Sequence, residues 1–179
     1  RDARSDIIIR GNSAAVMLWR LEGIDIPNPN HFARKGSSGG GITIFSSSML
    51  DNSDFSTGAF PAEYGDALSG VFDMRFRKGN REKDQYTFKA SVIGLDFSAE
   101  GPFKQGQSSY LLNYRYSTLG ILNALGFHLT DKREDNTFQD LSFNLNFPSR
   151  NNRSVFNIWG IGGLSKEDYS AIEDINEWD

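Results

Sequence analysis

Regular alternation of apolar and polar side chains in the second half of the chain constrains its fold most strongly. In the clearest segment, large apolar residues alternate with small polar ones: Leu141, Phe143, Leu145 and Phe147 against Ser142, Asn144 and Asn146. Residues 109–117 repeat the pattern, with Tyr110, Leu112, Tyr114 and Tyr116 against Leu111, Asn113, Arg115 and Ser117. Successive side chains of a strand point to opposite faces, so this period predicts antiparallel strands with one apolar and one polar face. Residues 86–100 and 155–161 are further strand candidates.

Two architectures accommodate such strands. In a soluble antiparallel sandwich the polar face meets water, whereas in a membrane barrel lipid covers the apolar face and a hydrated lumen or a plug covers the polar one. Alternation alone favours the sandwich, because transmembrane strands give a weak signal. Aromatic residues near strand ends favour the barrel, and so do connections that alternate between short (104–108 and 149–153) and long (118–139).

Two local features stay open on pattern alone. The alternation changes phase near Gly94, and a period of two changes phase only at an inserted residue or a turn, so Gly94 marks either a bulge or a tight hairpin. Residues 119–127 are apolar and lie within the long connection. They fit a short helix folded over a barrel mouth and an ordinary surface helix equally well.

Composition excludes several classes of protein. The 179 residues carry a formal net charge of -4 with no basic stripe, which argues against nucleic acid as a partner. The chain has no cysteine, so it contains neither a disulfide framework nor a thiolate metal site. No apolar run approaches the roughly 20 residues of a membrane-spanning helix. Because the chain starts at Arg1, with neither an initiator methionine nor a signal peptide, we expect it to be a segment of a longer protein.

The first 80 residues have a different pattern, with short apolar runs among small residues. Strands are predicted at 6–10, 16–21, 24–26 and 71–77, a short helix at 42–50, and loops at 27–30 and 36–41. A charged, glycine-containing linker at 78–84 separates this part from the alternating strands. The predicted fold class is therefore α+β: a small mixed-sheet domain with short helices at 1–80, followed by an antiparallel meander at 81–179.

Ordered motifs in the first part resemble those of TonB-dependent receptors. Residues 6–12 read DIIIRGN, 18–26 read LWRLEGIDI, and 55–74 read FSTGAFPAEYGDALSGVFDM, followed by EGPF at 100–103. In this order and spacing they resemble the plug domain of that family and the entry into its barrel. The resemblance covers nearly the whole chain and is closest to the branch with glycan-uptake and carboxypeptidase-regulatory-like relatives.

The resemblance implies a function, a location and partners. Residues 1–80 would be the plug and 81–179 the first strands of a barrel of about 22 strands, left unclosed. The chain would belong to a transporter, not an enzyme, of the Gram-negative outer membrane that imports a large or scarce solute such as a glycan, siderophore or peptide, without a cofactor. The implied partners are an energy-coupling TonB protein acting through a segment absent here, outer-membrane lipid and a surface lipoprotein. The open strand edges would favour self-association of the fragment.

The resemblance also implies candidate site residues. In the family, plug arginines pair with barrel carboxylates and hold the plug in the pore; Arg10 matches such a position, and Arg75 and Arg77 are weaker candidates for which a solvated strand face is the simpler explanation. Substrate-facing plug loops would contain Asn28, Asn30, His31, Phe32, Ser37 and Ser38. Independently of the resemblance, four glycines stand where strands end: Gly11, Gly23, Gly65 and Gly70. Glycine is favoured at such positions because the backbone must adopt a positive φ or pass close to a neighbouring chain segment.

Other chemistry is set aside. Residues 36–40 fit Gly-x-Ser-x-Gly, but a nucleophile elbow needs a preceding strand, a following helix and a histidine base. His31 and His128 are too distant in sequence to predict a metal site. The alternative of a different class is a secreted β-rich binding module, for example one that binds carbohydrate, which would be a soluble monomer with a closed apolar core.

Overall fold

A computed structural model of the chain describes residues 17–31, 42–57, 60–65, 70–91, 94–118 and 134–169. All regular structure within these ranges is β, arranged in three sheets. The predicted α+β class is therefore wrong for the described residues, which contain no helix and hence none that could span a membrane. The strand predicted at 6–10 and the helix considered at 119–127 lie outside these ranges.

The helix predicted at 42–50 is the clearest error. This segment starts with the short strand Ile42–Thr43, continues through turns and ends in a β-bridge between Leu50 and Phe76. Its middle is a run of serines at 46–48. Serine hydroxyls favour turns because they hydrogen-bond to nearby backbone groups, as Ser46 does to the Ser48 N–H, and so compete with helical hydrogen bonds.

The amino-terminal part, residues 17–81, is built on a four-stranded sheet of order β2-β1-β6-β5. Its strands are β1 (Met17–Leu21), β2 (Ile24–Ile26), β5 (Asp54–Ser56) and β6 (Gly70–Met74). β1 pairs in parallel with β6, and the other pairs are antiparallel. The strands predicted at 16–21, 24–26 and 71–77 are present, although β6 ends at Met74.

A separate hairpin is formed by β3 (Asn30–His31) and β4 (Ile42–Thr43). Within the described ranges the two strands pair with each other and make no ladder with the four-stranded sheet. Pro27 and Pro29 lie between β2 and β3, where proline's missing N–H discourages continuation of a ladder.

The carboxy-terminal part is an antiparallel meander of order β11-β10-β9-β8-β7. Its strands are β7 (Gln85–Ser91), β8 (Gly94–Lys104), β9 (Ser108–Ser117), β10 (Glu134–Pro148) and β11 (Val155–Tyr169). The antiparallel arrangement predicted from the alternation is confirmed. Ser91 pairs with Gly94, so the phase change near Gly94 is a hairpin and not a bulge.

The apolar core lies between the amino-terminal part and the five-stranded sheet. Its buried members are Leu21, Phe45, Met49, Met74, Phe76 and Leu111. Only Leu111 comes from the sheet, and Trp159 and Ile161 of β11 pack against the same cluster. The ring of Phe76 meets that of Trp159 edge-on, with 5.8 Å between centroids. The sheet therefore completes the core of the amino-terminal part.

Candidate functional site

The five-stranded sheet has its polar face buried and its apolar face exposed. We call the face against the amino-terminal part the inner face; its buried residues include Ser98, Glu100, Ser109, Asn113, Ser117, Asp140, Ser142, Asn144 and Asn146. The opposite, outer face exposes Tyr86, Phe88, Leu95, Phe97, Leu112, Tyr114, Tyr116, Leu141, Phe156, Ile158 and Leu164. Phe88 is 66% exposed and Leu164 is 73% exposed. This is the reverse of a water-soluble sheet, which buries its apolar face.

The first contact between the two parts joins Arg77 to Glu100 of β8. Arg77 Nη1 and Nη2 donate to Glu100 Oε2 and Oε1 at 2.8 and 2.9 Å, and the backbone N–H of Asn80 donates to Glu100 Oε2 at 2.8 Å. Asn144 of β10 donates to the carbonyl of Arg77 at 3.1 Å. A bidentate arginine–carboxylate pair fixes orientation as well as distance. The Arg77 side chain is 38% exposed, so solvent screens part of the attraction.

The second contact is a hydroxyl–carboxylate cluster. The hydroxyl of Ser46 donates to Asp96 at 2.5 Å, and the side-chain amide of Asn113 donates to the same carboxylate at 2.7 Å. The hydroxyl oxygens of Ser48 and Ser98 are 2.9 Å apart and share a hydrogen bond. The serines that prevent a helix at 42–50 thus hydrogen-bond to the inner face of the sheet. The alternation in β8 and β9 places their partners there, because residues two apart share a face.

The third contact joins the β3–β4 hairpin to β9 and β10. His31 Nε2 and Asp140 Oδ1 form a hydrogen bond of 2.5 Å. Arg115 Nη1 donates to the carbonyls of Thr43 and Phe45 at 2.8 and 3.1 Å, and it lies 3.8 Å from Asp140 Oδ2. Both strands of the hairpin are therefore attached to the sheet by charged or ring-nitrogen groups.

Close backbone approach adds a steric component near the first contact. A Cβ built on Gly79 would overlap the carbonyl oxygen of Tyr110 in β9. Any larger residue at position 79 would push the chain away from the sheet at the point where Arg77 and Asn80 hold it. Glycine is therefore required here by proximity and not by its φ angle.

The predicted arginines and glycines have different surroundings. Arg77 pairs with Glu100, whereas the Arg75 side chain is exposed. Gly23 has a φ of 80° in the β1–β2 turn, and a Cβ at Gly65 would meet no atom within 4 Å. Gly70 is buried at the start of β6, opposite Met17. Arg10 and Gly11 lie outside the described residues, and the locking role of the arginines stays a prediction.

The predicted substrate-facing residues are only partly described. The side-chain oxygen of Asn28 accepts hydrogen bonds from the backbone and side-chain nitrogens of Asn30 at 3.1 and 2.8 Å, which shapes a local turn. His31 is not at an outward surface: it is 6% exposed and contacts Asp140. Phe32, Ser37 and Ser38 lie outside the described ranges.

Sequence reasoning missed the sheet residues that receive these contacts: Glu100, Asp140, Arg115 and Leu111. Each was visible as an exception on an otherwise small and polar face. A charged or large apolar residue on such a face signals a partner across the interface, but the sequence does not say which one.

The interface is chemically suited to holding two parts together reversibly. Its described contacts are mostly hydrogen bonds and ion pairs, which water can replace; apolar contact is made by Leu111, Trp159 and Ile161 at the core and by Phe138 against His31. Among the residues that the structure describes, four inner-face atoms are buried without a hydrogen-bond partner: Ser109 Oγ, Asn113 Oδ1, Asp140 Oδ2 and Asn144 Oδ1. Such groups weaken an interface, because the free-energy cost of removing them from water is not offset by a hydrogen bond. Within the described ranges no group of three or more side chains is arranged to hold a metal ion.

Comparison with known proteins gives one informative result. No protein-family model matches the chain. No curated protein matches it either. Among solved structures, the siderophore receptor PirA from Acinetobacter baumannii aligns with a TM-score of 0.57 at 17% identity, over 87% of this chain. The chain shares the fold of part of that receptor. The match covers 25% of the receptor's length, and at this identity it bears on the fold alone.

Proposed function

We propose that the chain is part of an outer-membrane active transporter similar to TonB-dependent receptors. Residues 1–80 form the plug that closes the pore, and residues 81–179 form the first strands of the surrounding wall. The parent protein imports a large or scarce solute across the outer membrane of a Gram-negative bacterium. The match to a siderophore receptor puts iron–siderophore complexes beside glycans and peptides among the candidate solutes.

The inverted sheet carries this proposal. Its outer face exposes rows of Tyr, Phe and Leu, while its inner Asn, Ser and Asp side chains are buried against the amino-terminal part. Lipid is the environment in which an apolar exterior and a polar interior are stable together. A secreted β-rich module predicts the opposite, with the aromatic and leucine rows packed against each other, and the exposure of those rows therefore favours the transporter.

The polar interface fits a gate. A plug that must move needs contacts strong enough to close the pore and separable without exposing a large apolar surface. Hydrogen bonds contribute about 0.5–1.5 kcal/mol each, because water replaces them when they break. We expect solute bound outside to perturb the plug, and a TonB-type partner to supply the energy that displaces it.

The proposal is tested on the full-length parent protein in its own host. Cell fractionation should find it in the outer membrane, resistant to extraction with carbonate and urea. A deletion strain should lose growth on one member of a panel of iron–siderophore complexes, glycans and peptides, and a plasmid copy should restore it. Recovery of the intact parent protein from the aqueous fraction would reject the proposal, whatever the growth result.

A further inference from the structure

The β3–β4 hairpin is positioned by side-chain contacts instead of a β-ladder. It makes no strand pairing with either larger sheet in the described part of the chain. At its base the Ile44 N–H donates to the carbonyl of Pro29 at 2.8 Å, and Phe45 is buried in the apolar core. Beyond that base, its described contacts with the five-stranded sheet are polar, apart from the stacking of the His31 ring on Phe138.

Three residues make those contacts, and we call them the hairpin clasp: His31, Asp140 and Arg115. Asp140 bonds to His31 of β3, and Arg115 donates to the Thr43 carbonyl of β4. The side chains of His31, Asp140 and Arg115 are only 5%, 1% and 12% exposed. Burial strengthens such contacts, and it makes the loss of one partner costly to the other.

The sheet leaves space for the His31 ring beside Asp140. The rings of His31 and Phe138 stack with centroids 5.2 Å apart, and the Arg115 guanidinium lies 5.3 Å from the centre of the same Phe138 ring. A Cβ at Gly163 of β11 would stand 2.8 Å from Asp140 Oδ1 and 3.1 Å from His31 Cε1. Glycine at position 163 therefore leaves the space that the His31–Asp140 pair occupies.

The clasp and the Arg77–Glu100 contact lie at different positions along the strands. Glu100 stands opposite Leu111, close to the turn at 105–107, whereas Asp140 stands opposite Arg115, close to the long connection between β9 and β10. The amino-terminal part is thus attached to the sheet at two places, four residues apart along β9, by chemically independent groups.

We propose that the hairpin clasp holds the β3–β4 hairpin against the sheet as a unit that is released separately, while Arg77 and Glu100 keep the rest of the amino-terminal part in place. His31, Asp140 and Arg115 are positioning residues in this proposal. Its meaning for transport rests on the proposed function, in which release of the hairpin would be the first opening of the gate.

Hydrogen–deuterium exchange on the full-length parent protein in lipid vesicles tests the proposal. Asp140→Asn removes the carboxylate from the clasp, and Arg115→Met removes the guanidinium donors to the hairpin. Each should accelerate exchange of the amides of Asn28, Asn30 and His31, and of those at 42–45, about tenfold, the change expected when about 1.4 kcal/mol of protection is lost. Amides at 17–22 and 70–74 should change less than about twofold, the usual scatter for residues outside the perturbed contact.

Two matched controls sharpen the result. Glu100→Gln should accelerate exchange at 75–80 and leave the hairpin unchanged. Gly163→Ala should reproduce the Asp140→Asn pattern, whereas Gly162→Ala, where a Cβ meets no atom within 4 Å, should not. If Asp140→Asn fails to assemble, Arg115→Met and Gly163→Ala carry the test.

Uniform acceleration across residues 17–81 would overturn the proposal, because the hairpin would then not be a separate unit. Unchanged exchange in the hairpin in Asp140→Asn, Arg115→Met and Gly163→Ala alike would overturn it as well. Neither outcome depends on a transported solute. Conversely, absence of the parent protein from the outer membrane would reject the proposed function and leave this exchange pattern interpretable.

Discussion

Truncation of Leu111 gives the sharpest measure of how the sheet holds the amino-terminal part. Its side chain is fully buried and crosses from β9 into the core formed by Leu21, Phe45, Met49 and Phe76. Leu111→Ala removes that contact and leaves a cavity, at a cost of about 2–5 kcal/mol. We expect the loss to appear in the stability of the amino-terminal part, since every other buried member of the cluster belongs to it.

Leu112 provides the matched control. It is the next residue of the same strand and has the same side chain, but it lies on the outer face and is 38% exposed. Leu112→Ala does not touch the interface, so we expect the stability of the amino-terminal part to change by less than about 0.5 kcal/mol.

The assay is pulse proteolysis of the full-length parent protein in lipid vesicles over a urea series, scored by the survival of residues 17–81. With a urea dependence of about 1–3 kcal/mol per molar, Leu111→Ala should lower the midpoint by about 1 M or more. Equal midpoints for the two variants would refute the reasoning, because they would mean that Leu111 does not anchor the amino-terminal part. A larger shift for Leu112→Ala would mean that the faces of β9 are assigned the wrong way round.

Three further predictions concern other contacts. Gly79→Ala should destabilise the amino-terminal part by about 1–3 kcal/mol in the same assay through overpacking against β9, whereas Gly65→Ala, in open space, should be close to neutral. Phe88→Arg should reduce the amount of protein in the membrane, because an arginine on the lipid face costs up to about 2–4 kcal/mol, whereas Thr87→Arg on the inner face should not. Equal amounts of the two variants in the membrane would argue against lipid at the outer face. Glu100→Ala should lower the urea midpoint by the equivalent of about 1–3 kcal/mol, because it leaves a guanidinium without its carboxylate; an unchanged midpoint would mean that solvent already satisfies this arginine.

The strands of the sheet were predictable because alternation reports both the period and the faces. The faces assigned to 109–117 and 141–147 match the burial in β9 and β10. The environment of each face was not predictable from the same signal. A row such as Leu141 and Phe143 looks alike whether lipid or another sheet covers it, and only the burial of the opposite, polar row separates the two cases.

The amino-terminal part was harder to predict because its short strands depend on distant partners. The β5 strand has three residues, and its pairing with β6 has no local signature. The segment 42–50 was predicted as a short helix and has apolar residues at both ends. Its central serines instead bond to Asp96 and Ser98, about 50 residues away in sequence.

The partners across the interface were likewise not predictable from local sequence. Arg77 was a weaker candidate for pairing with a barrel carboxylate, with a solvated strand face as the simpler explanation, and nothing local identifies Glu100 among 23 acidic residues as its partner. His31 was expected in an outward-facing loop because the resemblance to TonB-dependent receptors implies that such plug loops face outward. Its burial depends on Asp140, which is 109 positions later.

The parallel pairing of β1 with β6 has a consequence for folding kinetics. Each residue of β1 pairs with one 53 positions later, as Met17 does with Gly70. The β1–β2 hairpin can form as soon as it is synthesised, but β1 gains its second neighbour only after a loop of some fifty residues has closed, and such closures are slow because their entropy cost comes before any contact is gained. Meanwhile the apolar side of β1 has no cover, and chaperones that bind exposed hydrophobic segments would be expected to recognise it during that interval.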